Sequence, residues 1–308
     1  MRSPPALLAA LALVAGCGDD SANDARTLTA IATTTQVADL TRNVGGERVN
    51  VRGLVQPRSD PHGYEPRPSD ARAVAEADVV FRSGGDLDEW LDDLLGNAGE
   101  DVPTVTLLDS VRTIEGEGET DPHWWQDPRN AVLAVEAIGD ALVEVDPDGR
   151  EEYERNARVY VDRLRGLDRS IADCIRMVPV YQRKLITTHD AFGYFARRYD
   201  IEIVGALIPS LSTQAQPSAK DTIELVEQIE REGAKAIFPE SALNPKLEQA
   251  VAREAGAEVG DQLWADSLGP QGSDGDTYIK ALASDTADLV EGFTGGEVRC
   301  TPDTRREE

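Results

Sequence analysis

The sequence predicts an α/β protein of two lobes, each built on a mostly parallel sheet, joined by one long rigid helix. Short apolar runs alternate with helix-like segments before residue 130 and again after residue 183, as parallel sheets covered by helices require. Between them, residues 148–176 carry apolar or aromatic side chains at three- and four-residue spacing, typical of one amphipathic helix. Such a helix would be about 45 Å long and is expected to bridge the lobes, although a long core helix within a single domain is the alternative.

The individual elements follow from local patterns. In the first half, LTAIATT, RVNVRGLV, DVVFRSG and PTVTLLD are predicted strands, and QVADLTRNVGG, SDARAVAEA, LDEWLDDLLGNAG and residues 130–144 are predicted helices. In the second half, the predicted strands are KLITT, IEIVGAL, AKAIFPE and AEVGDQLWA, and the helices are HDAFGYFARRY, SAKDTIELVEQIEREG, NPKLEQAVAREAG and DGDTYIKALASDTADLVEGF. We therefore expect an N-terminal lobe at 27–146, a linking helix at 147–178 and a C-terminal lobe at 179–308.

The N-terminus has the features of an export signal. An apolar run of ten residues, ALLAALALVA, follows Arg2 and precedes Gly16 and Cys17. It is too short to cross a bilayer as a helix, and LVAGC resembles a bacterial lipobox. We expect residues 1–16 to be a lipoprotein signal peptide, Cys17 to be acylated, and residues 17–26 to tether the protein to the outside of the bacterial membrane.

Charge and motifs exclude two classes of function. The chain has 57 acidic and 31 basic side chains and a formal net charge of −26, so it lacks the basic clusters that a nucleic-acid partner needs. It contains no HExxH, GxSxG or P-loop motif. We therefore expect neither a nucleic-acid-binding protein nor an enzyme.

Two cysteines besides Cys17 form an even pair in an exported chain. Export makes a disulfide between Cys174 and Cys300 plausible, and it would hold the C-terminal segment to the middle of the chain. Two separate buried thiols are the alternative.

The three histidines suggest a metal site. His62, His123 and His189 all stand where a predicted strand ends or a helix begins, and such loops form the ligand crevice of open α/β sheets. Three imidazoles and one carboxylate suit Zn²⁺. Asp266 in LWADSLG is the candidate carboxylate and Asp261 is its nearest rival. Four protein ligands would leave no open position for a catalytic water, which favours holding a metal over using it.

Several long motifs together resemble a known family. The lipobox, DPHGYEPRPSD, DPHWWQDPRN, DPDGREEYERNARVYVDRLRGLD, THDAFGYFARRY and LWADSLG resemble the zinc/manganese solute-binding lipoproteins of bacterial ABC transporters (cluster A-I, zinc-uptake component A type). The resemblance implies that the four ligands are His62, His123, His189 and Asp266. It further implies a metal in the cleft between the lobes, delivery to a permease and its ATPase, and a monomer. Asp60 and Asp121, in the two Asp-Pro-His motifs, are candidates to bind the ring N–H groups.

The donor set favours zinc, with manganese as the alternative cargo. Many manganese-type members of the family are expected to carry glutamate at the position of His189, and manganese prefers oxygen donors. Three neutral imidazoles and one carboxylate would leave a zinc site net positive, with affinity falling below roughly pH 6.5.

Two features depart from the family pattern: TIEGEGET replaces a histidine-rich loop, so that residues 115–121 read as a solvated acidic loop, and Gln216 stands where relatives often have glutamate. A membrane-anchored zinc hydrolase and an adhesin with a structural metal are the other functional alternatives.

Overall fold

The computed structural model describes residues 27–98, 102–116 and 118–304. The predicted signal peptide, Cys17 and the tether lie outside these residues. Among the helices of the described ranges, none combines the length and apolar character needed to cross a bilayer.

The N-terminal lobe contains a four-stranded parallel sheet in the order β2-β1-β3-β4. Its strands are β1 (Leu28–Ala32), β2 (Val49–Gly53), β3 (Val79–Arg82) and β4 (Thr104–Thr106), and its helices are α1 (Thr35–Gly45), α2 (Pro68–Ala75), α3 (Trp90–Ala98) and α4 (Pro128–Val145). Capping fixes where two helices begin: the side chains of Thr34 and Asp127 accept hydrogen bonds from the backbone N–H groups of Val37 and Arg129. The βα alternation predicted for this half is confirmed.

A small hairpin precedes α4 where the sequence predicted only a solvated loop. Strands β5 (Glu115–Gly116) and β6 (Glu119–Thr120) pair antiparallel. Gly118 has φ +91°, a conformation that glycine adopts without the steric cost of a Cβ. The prediction of a plain loop at 115–121 was therefore wrong in its backbone structure.

The C-terminal lobe is built on shorter parallel pairs. Strand β7 (Lys184–His189) pairs with β8 (Glu202–Ile208), and β9 (Ala236–Ile237) pairs with β10 (Glu258–Val259); a bridge from Thr187 to Phe238 aligns the two pairs. The helices are α6 (Gly193–Tyr199), α7 (Ala219–Glu232), α8 (Lys246–Ala255) and α9 (Tyr278–Thr294). As in the N-terminal lobe, the carboxyl ends of the strands lead into the loops that carry the candidate ligands.

The long linking helix is α5 (Arg150–Arg176). Its buried face is the apolar stripe read from the sequence, with Tyr153, Tyr160, Leu164, Leu167 and Ile171 among its members. This face packs against α1, α4 and α9, and one hydrophobic core runs through both lobes along it. The two-lobed α/β class with a bridging helix is therefore confirmed, whereas the exact lobe boundaries at 146 and 178 stay predictions.

Helix α9 returns from the C-terminal lobe to the N-terminal one. The backbone N–H of Tyr278 donates to Asp39 at 3.1 Å, and its hydroxyl donates to the carbonyl of Trp125. A disulfide joins Cys174 near the end of α5 to Cys300, with Cα atoms 5.4 Å apart. The last described residues are thereby held against the linking helix.

Candidate metal centre

Four side chains from distant parts of the chain converge between the lobes. His62 lies in the loop after β2, His123 lies just before α4, His189 ends β7, and Asp266 lies in the loop before α9. One ligand atom from each lies within 4.8 Å of the others, and among the described residues no other group of three or more His, Cys, Asp or Glu side chains has this arrangement. The structure thus brings together the four residues singled out in the sequence.

Four separations among the donor atoms are close to those of a tetrahedral coordination shell, and the whole set lies within 4.8 Å. His189 Nε2 lies 3.1 Å from Asp266 Oδ2 and 3.3 Å from His123 Nε2. His62 Nε2 lies 3.4 Å from Asp266 Oδ2, and His123 Nε2 lies 3.5 Å from Asp266 Oδ1. Donors bonded to zinc at about 2.0–2.1 Å would be about 3.3–3.4 Å apart in a tetrahedron. One cation therefore fits among these atoms without a large movement of the side chains.

Several of these atoms are buried without a hydrogen-bond partner. His62 Nε2 and both carboxylate oxygens of Asp266 accept or donate no hydrogen bond of normal geometry within the described part of the chain. Orphaned buried polar atoms cost free energy. A cation bound to them would remove that cost.

The repeated Asp-Pro-His motif forms the same local turn in both places. The backbone N–H of His62 donates to Asp60 Oδ1 at 2.9 Å, and that of His123 donates to Asp121 Oδ1 at 2.9 Å. Each aspartate therefore closes an Asx turn that holds the histidine two residues later. This accounts for the occurrence of the same tripeptide at both histidines.

The two aspartates differ in their second contact. Asp121 Oδ1 also lies 2.8 Å from His123 Nδ1, so it orients the imidazole ring and leaves Nε2 free for a metal. Asp60 Oδ2 accepts a hydrogen bond of 2.7 Å from Thr213 of the other lobe instead. The ring-orienting role considered for both aspartates is therefore found at Asp121, while Asp60 links the two lobes.

Glu240 is a functional residue that the sequence reasoning missed. Its carboxylate is 2 % exposed, accepts the backbone N–H of His189 at 2.8 Å, and places both oxygens 2.8 Å from His189 Nδ1. The available signal was its position as the last residue of the predicted strand AKAIFPE, which lies beside the strand that ends at His189. Glu240 thus orients His189 as Asp121 orients His123.

Asp266 is held in place largely by the N-terminal lobe. The carbonyl of Ala265 accepts hydrogen bonds from the side chains of Gln36, Trp125 and Gln126, at 3.3, 2.9 and 3.1 Å. Trp125 and Gln126 belong to the HWWQ segment that follows the second Asp-Pro-His. The same segment therefore supplies one histidine and fixes the backbone next to the carboxylate.

The other candidates from the sequence lie outside the centre. Asp261, the rival of Asp266, is exposed and lines a different cavity with Asp288 and Glu291. Gln216 is also exposed. Neither belongs to the group of converging donors.

The electrostatics favour a cation. Burial lowers the pKa of His189, but Glu240 and Asp266 outweigh it and raise that pKa well above its ordinary value of 6.5. The pKa of His123 is also raised, because Asp266 and Asp121 outweigh burial. Burial raises the pKa of Asp266, but His189 and His123 lower it well below its ordinary value. In the metal-free centre, the neighbouring carboxylates therefore favour protonated histidines, whose positive charge a bound metal would replace.

The formal charge of the centre differs from the expectation for four isolated ligands. A divalent ion with Asp266, Asp121 and Glu240 counted as carboxylates gives +2 − 3 = −1, whereas Asp266 alone would leave +1. The expected net positive site was therefore incomplete, because it omitted the acids behind the imidazole rings. Those acids strengthen the electrostatic attraction for a dication.

Comparisons with known proteins agree with this arrangement. The family described as zinc-uptake complex component A, periplasmic, matches residues 31–292. The manganese-binding lipoprotein MntA of Bacillus subtilis (strain 168) is 34% identical over 285 residues, 89% of this chain and 92% of its own length. The lipoprotein of the same name from Halalkalibacterium halodurans is 32% identical, over 92% of this chain and 95% of its own.

A solved structure has the same fold. The periplasmic zinc binding protein TroA from Treponema pallidum superposes with a TM-score of 0.83 at 26% identity, covering 87% of this chain and 99% of its own. The relatives named as lipoproteins agree with the extracytoplasmic, membrane-anchored location read from the N-terminus, although acylation at Cys17 itself stays a prediction. The chain belongs to the zinc-uptake complex component A family of extracytoplasmic metal-binding proteins.

Proposed function

We propose that this protein captures a divalent transition-metal ion, with zinc preferred, and delivers it to the permease of an ABC importer. The observation that carries the proposal is the convergence of His62, His123, His189 and Asp266, whose donor atoms all lie within 4.8 Å of one another. Relatives are named as manganese-binding lipoproteins and as metal ABC transporter substrate-binding lipoproteins. The metal is the cargo, and a permease with its ATPase is the partner.

The donor set supports zinc over manganese. Three of the four donors are imidazole nitrogens and one is a carboxylate, and affinity for a nitrogen-rich site rises from Mn²⁺ to Zn²⁺. TroA, a structural neighbour, is named zinc binding, whereas MntA is named manganese-binding. We therefore base the proposed preference for zinc on the donor atoms of this chain, because the names of its relatives point to both metals.

Metal competition tests the zinc preference. The protein is purified without chelators, stripped, and dialysed against equimolar Zn²⁺ and Mn²⁺ before its metal content is measured. We expect one zinc ion per chain and little manganese. Stoichiometric manganese under these conditions would refute the preference but leave the metal-uptake role intact.

A paired substitution tests the reason for the preference. His189→Glu replaces a nitrogen donor with oxygen, and adding Glu240→Gln avoids placing a new carboxylate beside Glu240, whose oxygens now lie 2.8 Å from His189 Nδ1. We expect this double variant to retain manganese and lose most of its advantage for zinc. His189→Gln with Glu240→Gln is the matched control and should bind both ions weakly.

The protein is not an enzyme, since its relatives are substrate-binding components of transporters. Four protein donors around one ion are suited to holding it, because a catalytic zinc keeps a position for water.

Release would involve small rocking of the lobes and loop rearrangement, since α5 and the continuous core restrict wide opening. Loss of growth in metal-limited medium on gene deletion, rescued by added zinc, would support transport over an adhesin with a structural metal.

A further inference from the structure

A further cavity, unrelated to the metal centre, lies between α1 and α5. Its volume is about 290 Å³, and it is lined by Asn43, Arg155, Asn156, Val159, Tyr160 and Arg163. Two arginines and two asparagines thus line one space on a chain whose net charge is −26. Such a lining is suited to an anion rather than to a metal.

The two arginines differ from their neighbours on the same helix. Arg150, Arg158, Arg165 and Arg176 each form an ion pair with an acid of α5. In contrast, neither Arg155 nor Arg163 has a carboxylate oxygen within 4.0 Å among the residues that the structure describes. Neither guanidinium is therefore held in an ion pair of this length within the described chain, although Arg163 acts electrostatically on Asp39.

The sequence explains why Arg163 has no partner on its own helix. The positions three and four residues away are Val159, Tyr160, Gly166 and Leu167, so no acid can reach it at helical spacing. The guanidinium stands 5.6 Å from the centre of the Tyr160 ring, and its Nε is buried with no acceptor in the described chain. An unsatisfied buried donor on a charged group is costly, so the protein itself does not fully hydrogen-bond this guanidinium.

The nearest acids do not neutralise the cavity. Asp39 lies behind Tyr160, whose hydroxyl donates to Asp39 Oδ2 at 3.3 Å. Asn156 donates to the carbonyl of Val44 at 3.0 Å and stands near Glu152, which lies beside Gly46 at the end of α1. Burial raises the pKa of Asp39 above its ordinary value, although Arg42 and Arg163 lower it in part, so this acid offsets the charge of Arg163 only partly.

The cavity lies at the edge of the sheet where the chain enters from its N-terminal segment. Asn43 is near the end of α1, where Gly45 packs against Val49, and Val49 pairs with Leu28, the first residue of β1. The metal centre lies beyond the other end of the same strands, which have five residues each and rise about 16 Å. Membrane anchoring through the N-terminal segment would bring this edge close to phospholipid headgroups.

We propose that this cavity binds a phosphate group, as a free anion or as the phosphodiester of a phospholipid headgroup, between Arg155 and Arg163. The guanidinium N–H groups supply the charge-assisted hydrogen bonds. Val159 and the Tyr160 ring form an apolar floor beside them, which an organic phosphate can cover. The proposal is independent of which metal the protein carries.

The test uses the mature, unacylated chain and two probes. Inorganic phosphate is titrated by calorimetry at constant ionic strength, and vesicles of phosphatidylcholine with phosphatidylglycerol are used in co-sedimentation. The variant Arg155→Gln/Arg163→Gln is compared with Arg158→Gln/Arg165→Gln, which makes the same charge change on the same helix at paired arginines. The single variant Arg155→Gln, at an exposed position, provides the comparison if the double variant misfolds. Unchanged zinc stoichiometry shows that the fold of each variant is intact.

We expect at least one probe to bind the wild-type chain and the control, and to bind the Arg155→Gln/Arg163→Gln variant at least tenfold more weakly. Vesicle binding without binding of free phosphate would identify the headgroup as the ligand, and the reverse would identify the free anion. Absence of binding by both probes, or equal binding by the two double variants, would overturn the proposal.

Discussion

Glu240 accepts the backbone N–H of His189 at 2.8 Å and holds the Nδ1 atom of the same residue with both carboxylate oxygens at 2.8 Å. This contact keeps the proton on Nδ1 and turns Nε2 toward Asp266, 3.1 Å away. Glu240 does not touch the position of the metal. It acts through His189, as a positioning residue that also increases the basicity of the donor.

Glu240→Gln should weaken zinc binding by about 10- to 100-fold, the range found when partners of metal-bound histidines are replaced. The amide keeps the size of the side chain but loses the charge that favours a basic Nε2. Chelator competition gives the affinity, and cobalt substitution followed by visible absorption reports whether the coordination geometry changes. Glu230→Gln, at an exposed position on α7, is the control and should bind zinc as the wild type does. Equal affinities for the two variants would contradict the role of Glu240.

Metal affinity should depend on pH more steeply, and at higher pH, than three ordinary histidines would allow. The pKa of His189 lies well above 6.5 in the metal-free protein and that of His123 is also raised, and a metal must displace these protons. Because protonation opposes binding below each pKa, affinity should already fall as the pH drops toward 6.5, by about tenfold per pH unit for each proton displaced. Competition with a chelator of known pH dependence measures the slope. An affinity that stayed constant down to about pH 6.5 would argue against the raised pKa values.

The sequence predicted the four converging residues because each has a chemical identity and a place at the end of a predicted strand. His62, His123 and His189 are also the only histidines in the chain, so few combinations had to be considered. The supporting contacts were harder to foresee. Glu240 is 51 residues from His189, and Trp125 is 140 residues from Ala265. Neither local propensity nor apolar periodicity contains information on such distant pairings.

The hairpin at 115–120 illustrates a different limit. Its strands have two residues each, too few for an alternating pattern to be recognised. The same holds for β9 and β10, which are much shorter than the apolar runs that predicted them. Long helices such as α5, in contrast, were predicted to within a few residues because their period repeats over many turns.

The hydrogen bond from Thr213 to Asp60, 2.7 Å long, should slow the release of metal. It joins the loop of His62 to the opposite lobe, and Asp60 at the same time closes the turn that holds His62. Thr213→Val keeps the shape of the side chain but removes the donor, so we expect faster zinc dissociation with little change in the stability of the fold. Stopped-flow transfer of zinc to a chelator measures the rate. Thr222→Val, at the first turn of α7 where Thr222 bonds only within the same segment, is the control, and equal rates for both variants would rule out the effect.

Asp288 on α9 should destabilise the protein above neutral pH. Burial, followed by the charges of Asp261, Asp274 and Glu291, raises its pKa from 3.8 to about 7. A carboxyl group whose folded-state pKa is raised stabilises the fold below its unfolded pKa and loses that contribution as the pH rises through the folded pKa. Asp288→Asn stays neutral at every pH, so its thermal midpoint should exceed that of the wild type by several degrees at about pH 8 and by little at about pH 4, near the ordinary pKa of 3.8. Asp140→Asn, an exposed position on α4, makes the same change in charge and should show no such dependence. Thermal unfolding of the metal-free proteins at the two pH values measures this difference. A gain in thermal midpoint of the same size at both pH values would contradict the raised pKa of Asp288.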